Sequence, residues 1–253
     1  MKLLVVAFAI FVASSEATDW CAMEDEYCNG QEHIMCKPNS FTMGQNVRNI
    51  QMVEMTADLI QVAEDRHNFH RSNVASGSVD GIPSASAMRK MVWDEDLELV
   101  AAEHACYANF EHDQCRSSTE YPHAGQNLAV AWSSVPFTNI AQQFESFIDD
   151  WYNEMPIVRD GRLSCIDSFT TSNPNCMDAG HFTAMVNDIN GFLGCALVTY
   201  EEDMGGEWWY AIMATCDYQG TNMIGDPVYV TGTPCSQCAA DNRVCDATTS
   251  LCV

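Results

Sequence analysis

Apolar residues recur at helical spacing in three stretches of the chain, and each stretch predicts an amphipathic helix. The first stretch begins after Thr56, a suitable helix N-cap, and ends before Gly77. Its apolar face carries Leu59, Ala63, His67, His70 and Val74. The second stretch opens at Asp94, and its apolar positions are Leu97, Val100, Ala101, Ala105 and Ala108. The third stretch covers about residues 138–154, with an apolar face of Ile140, Phe144, Phe147, Ile148 and Trp151.

Short runs rich in β-branched and aromatic residues replace this pattern in the final third of the chain. They cover residues 182–186, 194–200 and 208–216, and Gly, Asn or Asp residues bound each run. Helices therefore come first and strands later. This order predicts an α+β fold in which helices pack on an antiparallel sheet.

The first residues follow the pattern of a secretory signal peptide. Lys2 precedes an almost unbroken apolar run over residues 3–13, and Ser15 and Ala17 supply the small residues that signal peptidase reads. The run is about half the length of the roughly 20 residues that a membrane-spanning helix needs. We therefore predict a signal peptide over residues 1–17 and a secreted, extracellular chain without a membrane anchor.

Charge and cysteine content narrow the possible functions. The chain has 35 acidic and 11 basic residues and a net charge of -24, which disfavours binding to nucleic acid or anionic lipid. All 13 cysteines follow the signal, so disulfides are expected, and the odd count leaves one thiol over. Cys235 and Cys238 have the spacing of a redox or zinc motif. They share a polar tail with Cys245 and Cys252, however, which favours a disulfide knot.

Four short strings, taken in order, carry a family resemblance. They are HNFHR at residues 67–71, GQNL at 125–128, GHFTAMV at 180–186, and CDY at 216–218 followed by Asn222. These strings resemble the HNxxR, G[EQ]N[ILV], GH[FY]Tx[LM]V and CNY motifs of the CAP family (cysteine-rich secretory protein, antigen 5, pathogenesis-related 1). HDQCR at 112–116 and TNMIG at 221–225 are similar to strings of the insect, especially dipteran, antigen 5 (venom allergen 5) branch.

The resemblance implies an α-β-α sandwich, stapled by disulfides, around an antiparallel sheet of three or more strands. It divides the chain into a cysteine-containing extension at residues 18–48, a CAP (SCP) domain at 49–230 and a short cysteine-rich tail at 231–253. We expect His67 and Asn68 of the first motif to be structural, because on a helix their side chains point in different directions.

The family pattern also implies a set of disulfides. It pairs Cys21 with Cys36, Cys28 with Cys115, and Cys195 with Cys216, while Cys165 and Cys176 would close a local loop. The tail cysteines Cys235, Cys238, Cys245 and Cys252 should pair among themselves in an order left open. Relatives join the extension to the end of the second helix by a further bridge. Here Ala108 takes the helix position and the extension lacks the matching cysteine, so Cys106 is the candidate for the odd thiol.

The resemblance further implies a central cleft lined by His112, His181, Glu154 and, in the fourth place, Gln126. Facing imidazoles can bind a divalent cation such as Zn²⁺ or Cu²⁺, here through His112 and His181. An amide at position 126 in place of a carboxylate should weaken that affinity. The favoured alternative is that Glu154 and Gln126 satisfy both histidines in a polar network, with no cofactor required.

These features favour a secreted, non-enzymatic binding protein. The resemblance implies a salivary or venom-type effector that acts on host defence or haemostasis, with a host protein or a small bioactive mediator as partner. A second hypothesis is a carrier of sterols or fatty acids in a groove between helices. A third is a metal-dependent hydrolase, which is disfavoured because no serine or cysteine nucleophile accompanies the histidines by motif; no catalytic residue is predicted.

Overall fold

The structure, a computed structural model, describes residues 18–253, so the predicted signal peptide lies outside the described residues. Its helices are α1 Ala22–Glu26, α2 Ala57–Ala75, α3 Glu95–Ala105, α4 Ile140–Tyr152, α5 Met155–Arg159, α6 Ser164–Asp167 and α7 Gly180–Met185. Its strands are β1 Val47–Val53, β2 Val92–Trp93, β3 Gly125–Ser133, β4 Phe192–Asp203, β5 Trp208–Tyr218, β6 Cys245–Asp246 and β7 Leu251–Cys252. Short 3₁₀ helices cover Cys176–Ala179 and Cys238–Asp241.

One sheet organises the described part of the chain. Strands β1, β4, β5 and β3 lie side by side in that order, and each neighbouring pair is antiparallel. The two-residue strand β2 runs parallel to β4 and pairs Val92 with Phe192. The predicted α+β class and the antiparallel sheet of three or more strands are confirmed.

Strand β4 separates two apolar layers, because successive residues of a strand point to opposite faces of the sheet. Leu197 faces the larger core, together with Ala63 of α2 and Phe144 of α4. Its neighbours Ala196 and Val198 face a smaller core beneath α3. Helices α2 and α4 therefore cover one face and α3 covers the other, which is the expected α-β-α sandwich.

Helix α3 approaches β4 closely at Gly194. A Cβ atom at this position would lie 2.1 Å from the backbone nitrogen of Glu98, so the contact admits only glycine. At the start of α2, Thr56 accepts a hydrogen bond from the Leu59 amide (3.4 Å), as its predicted N-cap role requires. Gly77 follows the helix with a φ of 75°.

The predicted strand at residues 182–186 is wrong, because this segment forms α7. Every residue from Phe182 to Met185 is buried, and a short buried apolar run does not distinguish a strand from a helix by its pattern. Two contacts select the helix. Glu154 Oε2 accepts the amides of His181 (2.9 Å) and Phe182 (3.2 Å), and Thr183 Oγ1 donates to the carbonyl of Ala179 (3.0 Å).

The predicted second helix is too long. Helix α3 ends at Ala105, and Ala108 lies beyond it with a φ of 45°, in the left-handed region. The extension packs at this point, because the Gly44 amide donates to the carbonyl of Tyr107 (2.8 Å). Strands β1 and β3 lie in segments whose apolar pattern predicted no strand, and β1 crosses residue 48, where the extension was predicted to end.

The described residues contain six disulfides. Four of them join the pairs that the resemblance implies, and the tail pairs are Cys235 with Cys245 and Cys238 with Cys252. Cys235 and Cys238 are thus not bonded to each other. Cys106, at the C-cap of α3, is the one free cysteine in this part of the chain. Among the helices described, none combines the length and apolar character needed to cross a membrane.

Candidate functional site

The four residues expected in the cleft come from four separate segments. His112 lies in the loop after α3, Gln126 lies in β3, Glu154 lies between α4 and α5, and His181 lies in the first turn of α7. The structure brings them together in two hydrogen-bonded pairs, each of one histidine and one orienting side chain. His181 is also near enough to His112 for its charge to lower the pKa of His112.

Glu154 and His181 form the first pair. The carboxylate Oε1 accepts the Nδ1 proton of His181 at 2.7 Å, and Oε2 accepts the backbone amides at the start of α7. The His181 side chain is 36% exposed and the Glu154 side chain is 24% exposed. Nδ1 of His181 is thus held by a carboxylate, whereas its Nε2 makes no hydrogen bond within the described residues.

His112 and Gln126 form the second pair. Nε2 of Gln126 donates to Asp113 Oδ2 and to Asp217 Oδ1, both at 3.0 Å, so its Oε1 must be turned the other way. That oxygen accepts from Nδ1 of His112 at 2.8 Å and from Arg116 at 3.3 Å. His112 therefore carries its proton on Nδ1 and, like His181, leaves Nε2 with a free lone pair.

Sequence reasoning missed the buried charges that support Gln126. Asp113 and Asp217 are buried, and Arg116 Nε lies 3.2 Å from Asp113 Oδ2 and 3.9 Å from Asp217 Oδ1. The HDQCR string could have indicated Asp113 and Arg116, because an acidic residue and an arginine three positions apart can pair. The third, Asp217, stands where the CNY motif has asparagine.

The pKa values of Asp113 and Asp217 are shifted in opposite directions. Burial raises the pKa of Asp217 to about 8, an effect that Arg116 opposes and the charge of Asp113 reinforces. Burial also acts to raise the pKa of Asp113, but Arg116, His104 and the Gln126 amide outweigh it and lower that pKa overall. At neutral pH Asp113 is therefore ionised and Asp217 is mostly protonated. Burial lowers the pKa of His112 despite its exposed edge, which keeps the ring neutral.

The donor set fits a divalent cation, because His112 and His181 each have an Nε2 atom without a hydrogen-bond partner in residues 18–253. Each Nδ1 is held by an orienting acceptor, as in protein metal sites. From residue 18 to residue 253, no group of three or more His, Cys, Asp or Glu side chains is arranged to hold a metal. A cation bound by His112 and His181 would therefore take its other ligands from water or from a partner.

The remaining motif residues are structural. His67 Nδ1 donates to the Ala63 carbonyl (2.8 Å), and its Nε2 accepts from the Tyr218 hydroxyl (2.9 Å). Asn127 donates to that hydroxyl (3.2 Å) and to the His181 carbonyl (3.1 Å), which ties the buried network to the cleft. Asn68 exchanges two hydrogen bonds of 2.8 Å with the backbone of Met91, as its predicted structural role requires.

Arg71 is the most completely bonded of these motif residues. Its buried guanidinium donates to the backbone carbonyls of Arg89, Met185, Asn187 and Asn190, at 2.6 to 3.0 Å. Burial lowers its pKa to about 9. The first motif therefore holds the loop after α7 to α2 and β2.

Within the described residues, no serine, threonine or cysteine side chain is hydrogen bonded to His112 or His181. A nucleophile within hydrogen-bond reach of a base is the usual mark of covalent catalysis.

A sandwich of helices on both faces of an antiparallel sheet, closed by six disulfides among the described residues, defines a class of cysteine-rich scaffolds. The family model described as CAP, cysteine-rich secretory protein family, matches residues 64–218, and the chain belongs to this family. It is 33% identical to Venom allergen-1 of Aedes aegypti, over 92% of this chain and 87% of that protein. It is 28% identical to the antigen 5 like allergen Cul n 1 of Culicoides nubeculosus, over 79% of this chain and 91% of that protein.

A solved structure supports the same assignment. The chain resembles the crystal structure of NaASP2 with Zn²⁺, with a TM-score of 0.60 and 26% identity. The match covers 78% of this chain and 96% of that chain. The fold neighbours of this protein thus include a CAP protein crystallised with zinc.

Proposed function

We propose that this protein is a secreted, non-enzymatic binding protein that acts on host defence or haemostasis, as a salivary or venom-type effector. The observation that carries the proposal is the pair of oriented histidines in a cleft without a bonded nucleophile, on a scaffold closed by disulfides. Such a scaffold loses little conformational entropy when its loops bind a partner. The venom allergen relatives and the disulfides agree with an extracellular role.

We also propose that His112 and His181 bind a divalent cation, Zn²⁺ or Cu²⁺. When bound, the cation would supply a positive centre that accepts an anionic or carbonyl oxygen of a partner. Glu154 and Gln126 would orient the two imidazoles and keep their Nδ1 protons in place.

Calorimetric titration with ZnCl₂ tests the cation site. We expect His112→Ala and His181→Ala each to weaken zinc affinity at least tenfold, while His123→Ala, which changes an exposed histidine outside the cleft, leaves it unchanged. Equal zinc affinity in all four proteins would refute the site. That result would leave the binding function itself untouched.

A pull-down with the mature, oxidised protein tests the binding function. Host plasma and cell extracts are passed over the immobilised protein and over the His112→Ala/His181→Ala variant, with and without a chelator. We expect a specific host component to be retained. Retention of nothing above the background of a reduced, unfolded sample would contradict the proposal, as would hydrolytic turnover that disappears in the double variant. Expression confined to tissues other than salivary or venom glands would remove the tissue assignment.

A hollow against α2 favours the carrier hypothesis as a second candidate. It measures about 630 Å³, within the range of ligand pockets of roughly 300–1,000 Å³, and includes Val62 and the exposed Phe69. Lys90 also lines the hollow and would pair with the carboxylate of a fatty acid, whereas Arg66 is already paired with Asp149. Mass spectrometry of gently purified protein tests it: a co-purifying lipid that is lost on Phe69→Ser substitution supports the carrier, and its absence counts against it.

A further inference from the structure

Two hollows adjoin on the side of the His112 loop that faces the N-terminal extension. The first measures about 200 Å³ and includes Glu32, Glu111 and Asp113. The second measures about 400 Å³ and includes Glu111, Trp132 and Glu202. Because Thr42, Asn109 and Glu111 line both hollows, they form one continuous surface, which we call the extension groove.

The extension groove is acidic and lacks cations of its own. Its lining includes four carboxylates, Glu32, Glu111, Asp113 and Glu202, and among the described residues no lysine or arginine lines it. Lys37 lies nearby but pairs with Glu103 at 2.5 Å, and Arg48 pairs with Glu201 at 2.7 Å. Asp113 is buried and paired with Arg116, so the negative charge that the groove presents to solvent comes from Glu32, Glu111 and Glu202.

One residue that lines the first hollow, Asp113, has a buried oxygen without a hydrogen-bond partner among the described residues. Asp113 lines the first hollow with its side chain only 1% exposed, and its Oδ2 accepts from Arg116 and Gln126. Its Oδ1 has no hydrogen-bond partner within residues 18–253. A buried carboxylate oxygen without a donor is costly, and a donor that enters the hollow from outside would remove that cost.

The second hollow adds exposed apolar side chains. Met43 is 55% exposed, Phe110 is 49% exposed and Trp132 is 40% exposed. Trp132 Nε1 donates to Glu202 Oε2 at 2.7 Å, which fixes the indole beside a carboxylate. Exposed aromatic residues and Met are enriched at the centres of protein interfaces, and an indole face attracts a cation.

We propose that the extension groove docks a basic segment of a partner protein. A lysine or arginine side chain of that segment enters the first hollow toward Asp113, and an apolar neighbour covers Met43, Phe110 and Trp132. The net charge of -24 steers such a segment toward the protein. The inference deepens the proposed function by giving the partner a chemistry, and it requires no cation at His112 and His181.

A synthetic peptide tests the groove apart from any host protein. The probe is an acetylated and amidated heptapeptide of alternating lysine and leucine, titrated by calorimetry at low and physiological salt. Glu111→Gln/Glu202→Gln removes two groove charges isosterically, and the glutamine at 202 can still accept from Trp132. The matched control, Glu120→Gln/Asp150→Asn, removes two exposed charges elsewhere.

We expect the groove variant to bind the peptide at least tenfold more weakly and the control less than twofold more weakly. Equal weakening by both variants would show a non-specific charge effect and overturn the proposal, as would absence of binding to the unaltered protein. If N-acetyl-lysine methylamide bound as tightly as the heptapeptide, the ligand of the groove would be a small amine and not a protein segment, and the proposal would be wrong. Trp132→Ala gives a second test, and we expect it to lower peptide affinity about fivefold. Asp113→Asn removes the partner of Arg116, so its peptide affinity is compared only after circular dichroism has shown that the variant is folded.

Discussion

His67, one of the buried histidines, and the two cleft histidines His112 and His181 use the same side chain in different ways. Both ring nitrogens of His67 have partners inside the protein, the Ala63 carbonyl and the Tyr218 hydroxyl. His112 and His181 each have a partner on Nδ1 alone. The motif histidine with both nitrogens bonded stabilises the fold, whereas the two histidines bonded on Nδ1 alone suit the cation-binding role that we propose.

Arg71 is, like His67, a buried motif residue whose side chain is bonded inside the protein. Its replacement should have the largest effect on stability. Arg71→Met leaves the carbonyls of Arg89, Met185 and Asn187 without their donor, along with that of Asn190. We expect a loss of about 3–5 kcal/mol in the free energy of unfolding, measured by urea titration. Arg159→Met, in an exposed ion pair with Asp160, should change the free energy of unfolding far less, because solvent screens that pair. Similar losses for the two variants would break the comparison.

His67→Gln tests the buried histidine itself, because its effect should depend on pH. Burial lowers the pKa of His67 to about 3, so the folded protein keeps this ring neutral. The unfolded chain binds a proton there below about 6.5, so the stability that His67 contributes is lost as pH falls from about 6.5 toward 3. We expect the variant to be about 2 kcal/mol less stable than the unaltered protein at pH 7. The gap should narrow by pH 4, as measured by chemical denaturation; a gap that stays constant with pH would contradict the neutral, buried ring.

The buried half of the comparison was largely predictable from sequence, because one repeating pattern specifies it. Helical spacing placed Ala63, His67 and Val74 on one face of α2, and all three are buried. The same reasoning failed for α7, where the Glu154 carboxylate that accepts the first amides comes from 27 residues earlier in the chain. A local pattern does not contain such a contact.

The cleft was predictable only through the family resemblance. Its four residues share no periodicity, and they meet because the sheet order places β3 beside β5, near α7. Asp217 and Asp113 escaped sequence reasoning because their pairing with Gln126 crosses 91 and 13 residues. In the same way, the left-handed backbone of Ala108 depends on the extension packed over it, which a helical repeat does not reveal.

Asp217→Asn tests the buried residues that support the cleft on the side of His112. The His112 ring is exposed, whereas Asp217 behind it is buried. Asp217 has a pKa of about 8 in the folded protein, above the value of 3.8 for a free side chain. The native state therefore holds a proton that the unfolded state releases, and stability falls as pH rises from about 4 to 8. We expect the variant to be at least about 2 kcal/mol more stable than the unaltered protein at pH 8, with no gain at pH 4, in thermal unfolding. A gain of equal size at both pH values would mean that Asp217 is not the titrating group.

The smallest expected effect concerns the exchange of acid and amide between positions 126 and 217. The family motifs allow glutamate at position 126 and have asparagine at position 217. This chain has Gln126 and Asp217 instead. Its carboxyl group therefore lies behind Gln126 and not against His112. Gln126→Glu with Asp217→Asn restores a carboxylate acceptor for His112 Nδ1 and gives it an amide donor from position 217. We expect zinc affinity to rise about tenfold in calorimetry, because an ionised acceptor strengthens the imidazole as a ligand. Gln126→Glu alone is the control, and it should lose stability because three carboxyl groups would then share one arginine, Arg116. If the double variant bound zinc no more tightly than the unaltered protein, the group that accepts the His112 Nδ1 proton would not control zinc affinity. The amide at Gln126 would then orient His112 for zinc as well as a carboxylate does.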